Sequence, residues 1–332
     1  MPMMDVFSSN IFSAETLTAA VNANPHQPGR LGALGLFEEK GVATTKVMIE
    51  RRDGKLVLLQ ARPRGAPVPV YQRGRSEMLE FKVPFTPLEE TIYAHSFQDR
   101  RVFGTESELM TAQIVVAESL TGMQRSHAAT LEYHRVGAIK GLILDADGST
   151  IYDLFTEFGV AQQTQSFALA DGSTQVRTVC MATRRKIEDA LGDESYMQLR
   201  GFAGKDFFDK LISHPDVMTA YENYAQGEYL RNDPKSGFRF GDILWEEYRG
   251  KVNGTDYIAA DQAYVVPEGV PGLFITRFAP ADFVDAANTL GLPLYARPAF
   301  DTEFMRWVKI MTQQSALNLC TRPRAVIKCT VS

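Results

Sequence analysis

TESELMTAQIVVAESLTGMQRSHAATLEYHRVG, Thr105 to Gly137, is the stretch whose reading decides the fold. Thr105 and Glu108 have the spacing of a capping box, in which each side chain satisfies a backbone N–H of the other's residue. Val116, Leu120, Met123, His127, Leu131 and His134 then recur at steps of three and four, the period of one helix face. At 1.5 Å per residue a helix over 105–137 would run roughly 45 Å, longer than most in globular domains. Gly122 is the point at which it could bend. Such a helix is a spine, and the rest of the chain has to be organised around it.

Upstream, residues 1–40 read as an arm. A short amphipathic piece from Ser13 to Val21 is followed by Asn24-Pro25-His26-Gln27-Pro28-Gly29, which no helix survives. TKVMIERRDGKLVLLQ, Thr45 to Gln60, gives two strand-like runs around Asp53-Gly54, a hairpin signal. ARPRGAPVPVYQRGRS, 61–76, combines Pro, Gly and Arg and predicts no regular element. From Glu77 to Val83 the chain alternates, with Leu79, Phe81 and Val83 on one face and Met78, Glu80 and Lys82 on the other, until Pro84 stops it. Together these predict a long projecting hairpin. A hairpin alone in water is marginal, so it needs a neighbour to pack on.

Downstream, Gly141 to Phe155 predicts a hairpin turning near Asp147-Gly148. Helices are expected at 178–192, Lys205–Ile212, Pro215–Tyr224 and Ala281–Thr289, and strands at Tyr257–Val266, Leu273–Thr276 and within Ser315–Val331. The fold class is α+β, and 332 residues suggest two or three packed units.

Composition narrows the function. Hydrophobic residues make up 45% and charged residues 23%, enough apolar surface to offset chain entropy. No apolar run of about 18 residues is present to span a membrane. The first residues lack the basic and apolar segments of a secretory leader. Cys180, Cys320 and Cys329 make neither a disulfide framework nor a close metal pair, which fits synthesis in a reducing compartment. Charge is uneven. Between Lys40 and Arg75, nine basic residues face only Glu50 and Asp53, giving +7 and leaving −12 for the remainder of a chain of net charge −5. That stretch can meet acidic surface on a second copy, a polyanion, or only solvent.

Leu142-Ile-Leu-Asp145-Ala-Asp147-Gly148-Ser149 resembles the nucleophile motif of haloacid-dehalogenase-type phosphatases. There Asp145 would attack phosphorus, Asp147 would act as acid and base, and Mg²⁺ would sit between them, with Asp242 and Glu246 as the further acidic pair. The plainer reading makes 145–148 the polar tip of a two-stranded turn. Gly29, Gly32 and Gly35 do not make a dinucleotide fingerprint. In Ser213-His214-Pro215-Asp216, Ser213 is the expected N-cap of a helix opening at Pro215. His127 and His134 share a helix face without the spacing or neighbours of a zinc site. No catalytic residue, cofactor or metal is expected. A nucleic-acid-binding module remains open, through backbone charge alone.

Several stretches, in order, resemble the lambda-type major capsid protein family, phage major capsid protein E. They are Leu34-Gly35-Leu36-Phe37, Thr45–Glu50, Arg64-Gly65, Gln98–Gly104, Phe238–Gly250, Phe278–Asp282, Asn288–Pro293, Leu294–Arg297, Gln314–Leu317 and Arg322-Pro323. The resemblance implies a Hong Kong 97-type capsid fold. Its parts would be an N-terminal arm over 1–45, strands and extended loop over 46–92, a peripheral domain over 93–194 with its spine at 105–137, an axial domain over 195–296, and a return to the peripheral domain over 297–332. It also implies pentamers and hexamers of an icosahedral head around double-stranded DNA, assembled in host cytoplasm with scaffolding, portal and decoration proteins. Arg62, Arg64, Arg73, Arg75, Glu77, Leu79, Phe81 and Lys82 are the candidate contacts between subunits.

Overall fold

A computed structural model describes residues 17–18, 29–52, 76–98, 112–222, 237–252 and 254–332. In chain order the first elements are α1 (Arg30–Ala33), β1 (Glu38–Gly41), β2 (Lys46–Arg52), β3 (Ser76–Lys82), β4 (Phe85–Tyr93), α2 (Ala94–Phe97) and the long α3 (Ala112–Lys140). Then come β5 (Leu142–Leu144), β6 (Thr150–Asp153), α4 (Leu154–Glu157), β7 (Gln163–Ser166), α5 (Val176–Leu191), β8 (Gln198–Ala203), α6 (Lys205–Ser213) and α7 (Pro215–Glu222). Strands fill the rest: β9 (Phe238–Phe240), β10 (Ile243–Glu247), β11 (Lys251–Val252), β12 (Thr255–Asp256), β13 (Gln262–Glu268), β14 (Phe274–Phe278), β15 (Tyr295–Phe300), β16 (Trp307–Cys320) and, after a 3₁₀ turn at Pro323–Ala325, β17 (Ile327–Thr330).

Helix α3 is the expected spine, 29 residues and about 43 Å long. It ends at Lys140, three residues beyond the expected end, because Gly141 takes a left-handed φ of +81° that a side chain would resist. The capping pair Thr105 and Glu108 lies outside the described residues. All six residues of the predicted face are buried. Val116, Leu120 and Met123 pack with Ile92, Leu294, Ala296 and Ile310. Leu131 meets Phe278 and Ala316, and Val136, Ala138 and Ile139 enter the main core. The helix therefore joins two sheets.

One sheet has five strands. β1 runs parallel to β14, β14 is antiparallel to β16, and β16 also pairs with β15 and β4. The other has six strands in the order β7-β17-β13-β8-β10-β9. Its core is aromatic, with Phe167 and Phe207 packed on the fully buried Trp245 at 5.5 and 5.6 Å between ring centroids. Sheet membership crosses the boundary expected at 296/297. β14 and β15 join the five-stranded sheet, while β17 inserts between β7 and β13 in the six-stranded one.

β2 pairs with β3, Lys46 opposite Lys82 and Arg52 opposite Ser76. Packing supports this pairing, since Val47 and Ile49 lie across from Phe81 and Leu79 and all four face the core. The expected Asp53-Gly54 turn and the Lys55–Gln60 run lie outside the described residues. Three local expectations are corrected. Ala281–Thr289 is a series of turns rather than a helix. Phe283 O accepts from both Ala286 N and Ala287 N, and Asn288 sits at φ +61°. Only Ala281 and Ala286 of this segment are buried, too little apolar surface to hold a helix down. The strand expected over Tyr257–Val266 is β13, shifted to Gln262–Glu268, and Tyr257 instead donates its hydroxyl to Ala129 O of α3. At Ser213–Asp216 the cap is His214, whose Nδ1 accepts from Asp216 N at 3.2 Å, while Ser213 ends α6 and donates back to Asp209 O.

Candidate functional site

The β2–β3 hairpin is held to the body at one end. Phe81 is fully buried, its ring 5.3 Å from Tyr152, near edge-on, and 5.8 Å from Phe158. Lys82 N–H donates to the Tyr152 hydroxyl at 2.8 Å, and that hydroxyl donates to Lys82 O at 2.9 Å. Burial pushes the Tyr152 phenol upward, so it stays protonated and can donate. The opposite face of the hairpin is exposed. It carries Met48, Met78, Glu80 and Lys82, with Lys46 and Glu80 paired at 2.7 Å. Solvent screens that pair, and it adds little stability.

Of the candidate contacts, Arg62, Arg64, Arg73 and Arg75 lie outside the described residues. Glu77 sits in β3 opposite Arg51. Leu79 is half-buried against the core and Lys82 is exposed. Phe81 belongs to this chain's own core, which removes it from any surface a neighbour could reach. Met48 and Met78 were not among the candidates. Their signal was present, because both fall on the polar phase of the alternation where an apolar side chain has no internal partner.

The root of the N-terminal arm is fixed by a ladder of charges. Arg30 Nη2 donates to Glu246 Oε2 at 2.9 Å, the same oxygen accepts from Arg200 Nη1 at 2.9 Å, and Arg200 Nε reaches Glu268. Glu246 and Arg200 are both buried, so each offsets the desolvation of the other. Beside them Glu132 Oε1 accepts from Leu31 N at 2.8 Å and from the Tyr248 hydroxyl at 2.7 Å, and burial holds the Tyr248 phenol far above its usual range. Gly29 leaves room for this, since a Cβ there would lie 2.2 Å from Glu132 Cδ. A second buried cation on α3, Arg135, pairs with Glu39 and lies 5.4 Å over the Phe37 ring. These contacts tie arm root, spine and both sheets into one body.

The motifs with catalytic overtones are structural in place. Asp145 and Asp147 are exposed at the β5–β6 tip, and their carboxylates accept from Ala146 N and Ser149 N, the local bonds of a turn. Asp242 pairs with Arg184, and Glu246 is used by Arg30 and Arg200. His127 Nε2 is 2.9 Å from Thr312 Oγ1. Cys180, Cys320 and Cys329 are buried free thiols, the first two pushed up to about 12 by burial. Among the described residues no group of three or more His, Cys, Asp or Glu is placed to hold a metal ion. No described helix is long and apolar enough to cross a membrane.

Comparison with known proteins converges on one family. The model of phage major capsid protein E matches residues 13–331. The major capsid protein of Pseudomonas phage KPP10 is 28% identical over 345 residues, covering 96% of this chain and 97% of that one. Among solved structures, a capsid protein assigned to a prophage of E. coli CFT073 superposes with a TM-score of 0.59 at 11% identity, over 97% of this chain and 99% of its own. The capsid of cyanophage A-1(L) gives 0.53 at 12% identity, over 93% and 95%. The fold is thus the Hong Kong 97-type capsid fold, with the long helix as its spine and the hairpin at its flank. A match that runs from the arm to the last strand leaves one conclusion: the chain belongs to the phage major capsid protein E family, and its role is to form a capsid.

Proposed function

We propose that copies of this chain join as pentamers and hexamers and close into an icosahedral phage head around double-stranded DNA. The role is structural, without catalysis. α3 with the five-stranded sheet acts as the peripheral domain, and the six-stranded sheet with α5, α6 and α7 as the axial domain. Scaffolding, portal and decoration proteins are partners in building the head, which assembles in the host cytoplasm and ends in the virion. Identical subunits using head-to-tail contacts make rings, and rings joined by further contacts make a closed shell.

The hairpin is the observation that supports this reading. Its base is anchored by Phe81 and Tyr152, and the 23 residues between its strands, 53–75, carry Lys55, Arg62, Arg64, Arg73 and Arg75 against Asp53 alone, a net charge of +4. A basic segment leaving a fixed base suits the acidic surface of an adjacent copy, which shares the −12 carried by the rest of the chain. The test is Arg73→Glu with Arg75→Glu in the full chain, examined by negative-stain electron microscopy. Folded subunits that no longer form shells are the expected result. Normal shells from this double variant would sink the contact assignment, and normal shells that fail to retain DNA would move the segment's role from neighbour to genome.

A further inference from the structure

One hydroxyl ties the projecting hairpin to the end of the spine. β2 and β3 form a two-stranded sheet of their own, so among the described residues no strand lies along the outer edge of β3. Val83 N bonds to Thr45 O at 2.9 Å, and in an antiparallel pair the backbone groups of the next residue point the opposite way. The N–H and C=O of Lys82 therefore face that outer edge. Both meet the Tyr152 hydroxyl, which accepts from the N–H at 2.8 Å and donates to the C=O at 2.9 Å. A side chain thus does at one position what a third strand would do.

Tyr152 is itself fixed to the spine. It lies in β6 opposite Ile143 of β5, and Ile143 is buried. Only Gly141 separates β5 from the end of α3, and Leu154 N, just after β6, bonds back to Gly141 O at 2.8 Å. Gly137 lets β5 lie directly on the helix, because a Cβ there would stand 2.9 Å from Leu142 O. Spine end, β5, β6 and Tyr152 form one packed piece. The rest of the hairpin's attachment is apolar: Phe81 is fully buried, with Val47, Ile49, Leu79 and Val83 half-buried against the core. Apolar burial holds the hairpin down but is non-directional. A hydrogen bond fixes direction as well as distance.

We propose that Tyr152 is a positioning residue, whose hydroxyl sets the direction in which the β2–β3 hairpin leaves the body relative to α3. Resting on the capsid reading above, this makes the Tyr152–Lys82 clamp a determinant of shell curvature. Identical subunits repeat the same angle at every copy, so an error in one hairpin's direction is an error in how the whole assembly closes. Loss of the hydroxyl costs the subunit little, since Lys82 is exposed and its N–H and C=O can turn to water instead. Position and stability can therefore be separated.

Tyr152→Phe in the full chain tests it, because the ring stays against Phe81 and only the hydroxyl goes. Spin labels on Met78→Cys in the hairpin and Arg125→Cys on the spine, both exposed positions, read the hairpin's direction as a distance distribution; the three native thiols are buried. Tyr152→Phe should broaden that distribution and lower the melting temperature by less than about 4 °C. In negative-stain images it should replace uniform closed shells with mixed diameters, tubes or open sheets. Phe158→Leu, which trims the ring 5.8 Å from Phe81, should do the reverse: a lower melting temperature, with a narrow distribution and uniform shells. An unchanged distribution in Tyr152→Phe overturns the inference. So do uniform shells of wild-type diameter from that variant, or shell defects that follow melting temperature in both. A distribution that broadens in the subunit while wild type forms no particles upholds the clamp and overturns the capsid reading instead.

Discussion

His127 sits on the buried face of α3 with its Nε2 on Thr312 of β16, whose hydroxyl continues to Leu88 O of β4 at 3.3 Å. Burial lowers its pKa from 6.5 to about 4, and burial lowers His134, one face-repeat further on, as well. A histidine whose folded pKa lies below its unfolded value binds its proton more readily in the unfolded chain. It adds nothing above pH 6.5 and destabilises the fold as pH falls from 6.5 toward 4. One pKa unit is 1.36 kcal/mol, so a shift from 6.5 to about 4 gives about 2 kcal/mol lost by pH 5 relative to pH 7.5. Urea unfolding of the subunit at the two pH values measures the loss, and His127→Gln should shrink it. An equal loss in that variant would place the acid sensitivity elsewhere. The histidines were legible in sequence as packed polar groups on one face; Thr312, the partner of His127 and 185 residues away from it, was not.

At the scale of the element, β3 shows how an alternating strand divides its work. Phe81 fills the core against Tyr152 and Phe158, while Met78 on the opposite face is exposed. Phe81→Ala should cost about 3–5 kcal/mol, the usual range for removing a buried aromatic ring. Met78→Ser should stay within about 0.5 kcal/mol in the isolated subunit. Denaturant midpoints of the two variants check this, and a small cost at Phe81 would mean the hairpin does not pack as described. Alternation over 77–83 predicted both faces correctly, because it is a local property of residues two apart. Strand pairing was not local. Lys46–Arg52 pairs with a strand beyond a 23-residue gap, in a register that sets Val47 and Ile49 across from Phe81 and Leu79.

The whole molecule is closed by its last strand. β17 lies between β7 and β13, parallel to one and antiparallel to the other, so the six-stranded sheet cannot be complete until the C-terminus is in place. Deleting residues 327–332 should leave β7 unpaired and expose Ile327's pocket, giving insoluble or unfolded chain rather than a trimmed subunit. Solubility and circular dichroism of the truncation decide it; a folded, soluble product would show that β17 is dispensable. At the same scale, the Arg73→Glu, Arg75→Glu variant is expected to melt like wild type and to fail only in forming particles, since both arginines lie in the basic segment beyond the hairpin base.

Periodicity, capping and turn chemistry act over a few residues, and the sequence by itself determined what depends on them: the spine, the alternating strand, the β5–β6 hairpin with its polar tip, the helices α5 to α7, and the basic segment that breaks the chain's charge balance. The ordered family motifs added the capsid fold. Tertiary structure alone decided which strands share a sheet, because pairing joins residues such as Ile327 and Gln163 whose neighbours in sequence carry no trace of one another. It decided too that Ala281–Thr289 would be turns, for want of a face to bury, and that Glu246, a candidate catalytic carboxylate by motif, would be held between Arg30 and Arg200. A buried charge is stable only where distant parts of the chain bring its partners to it.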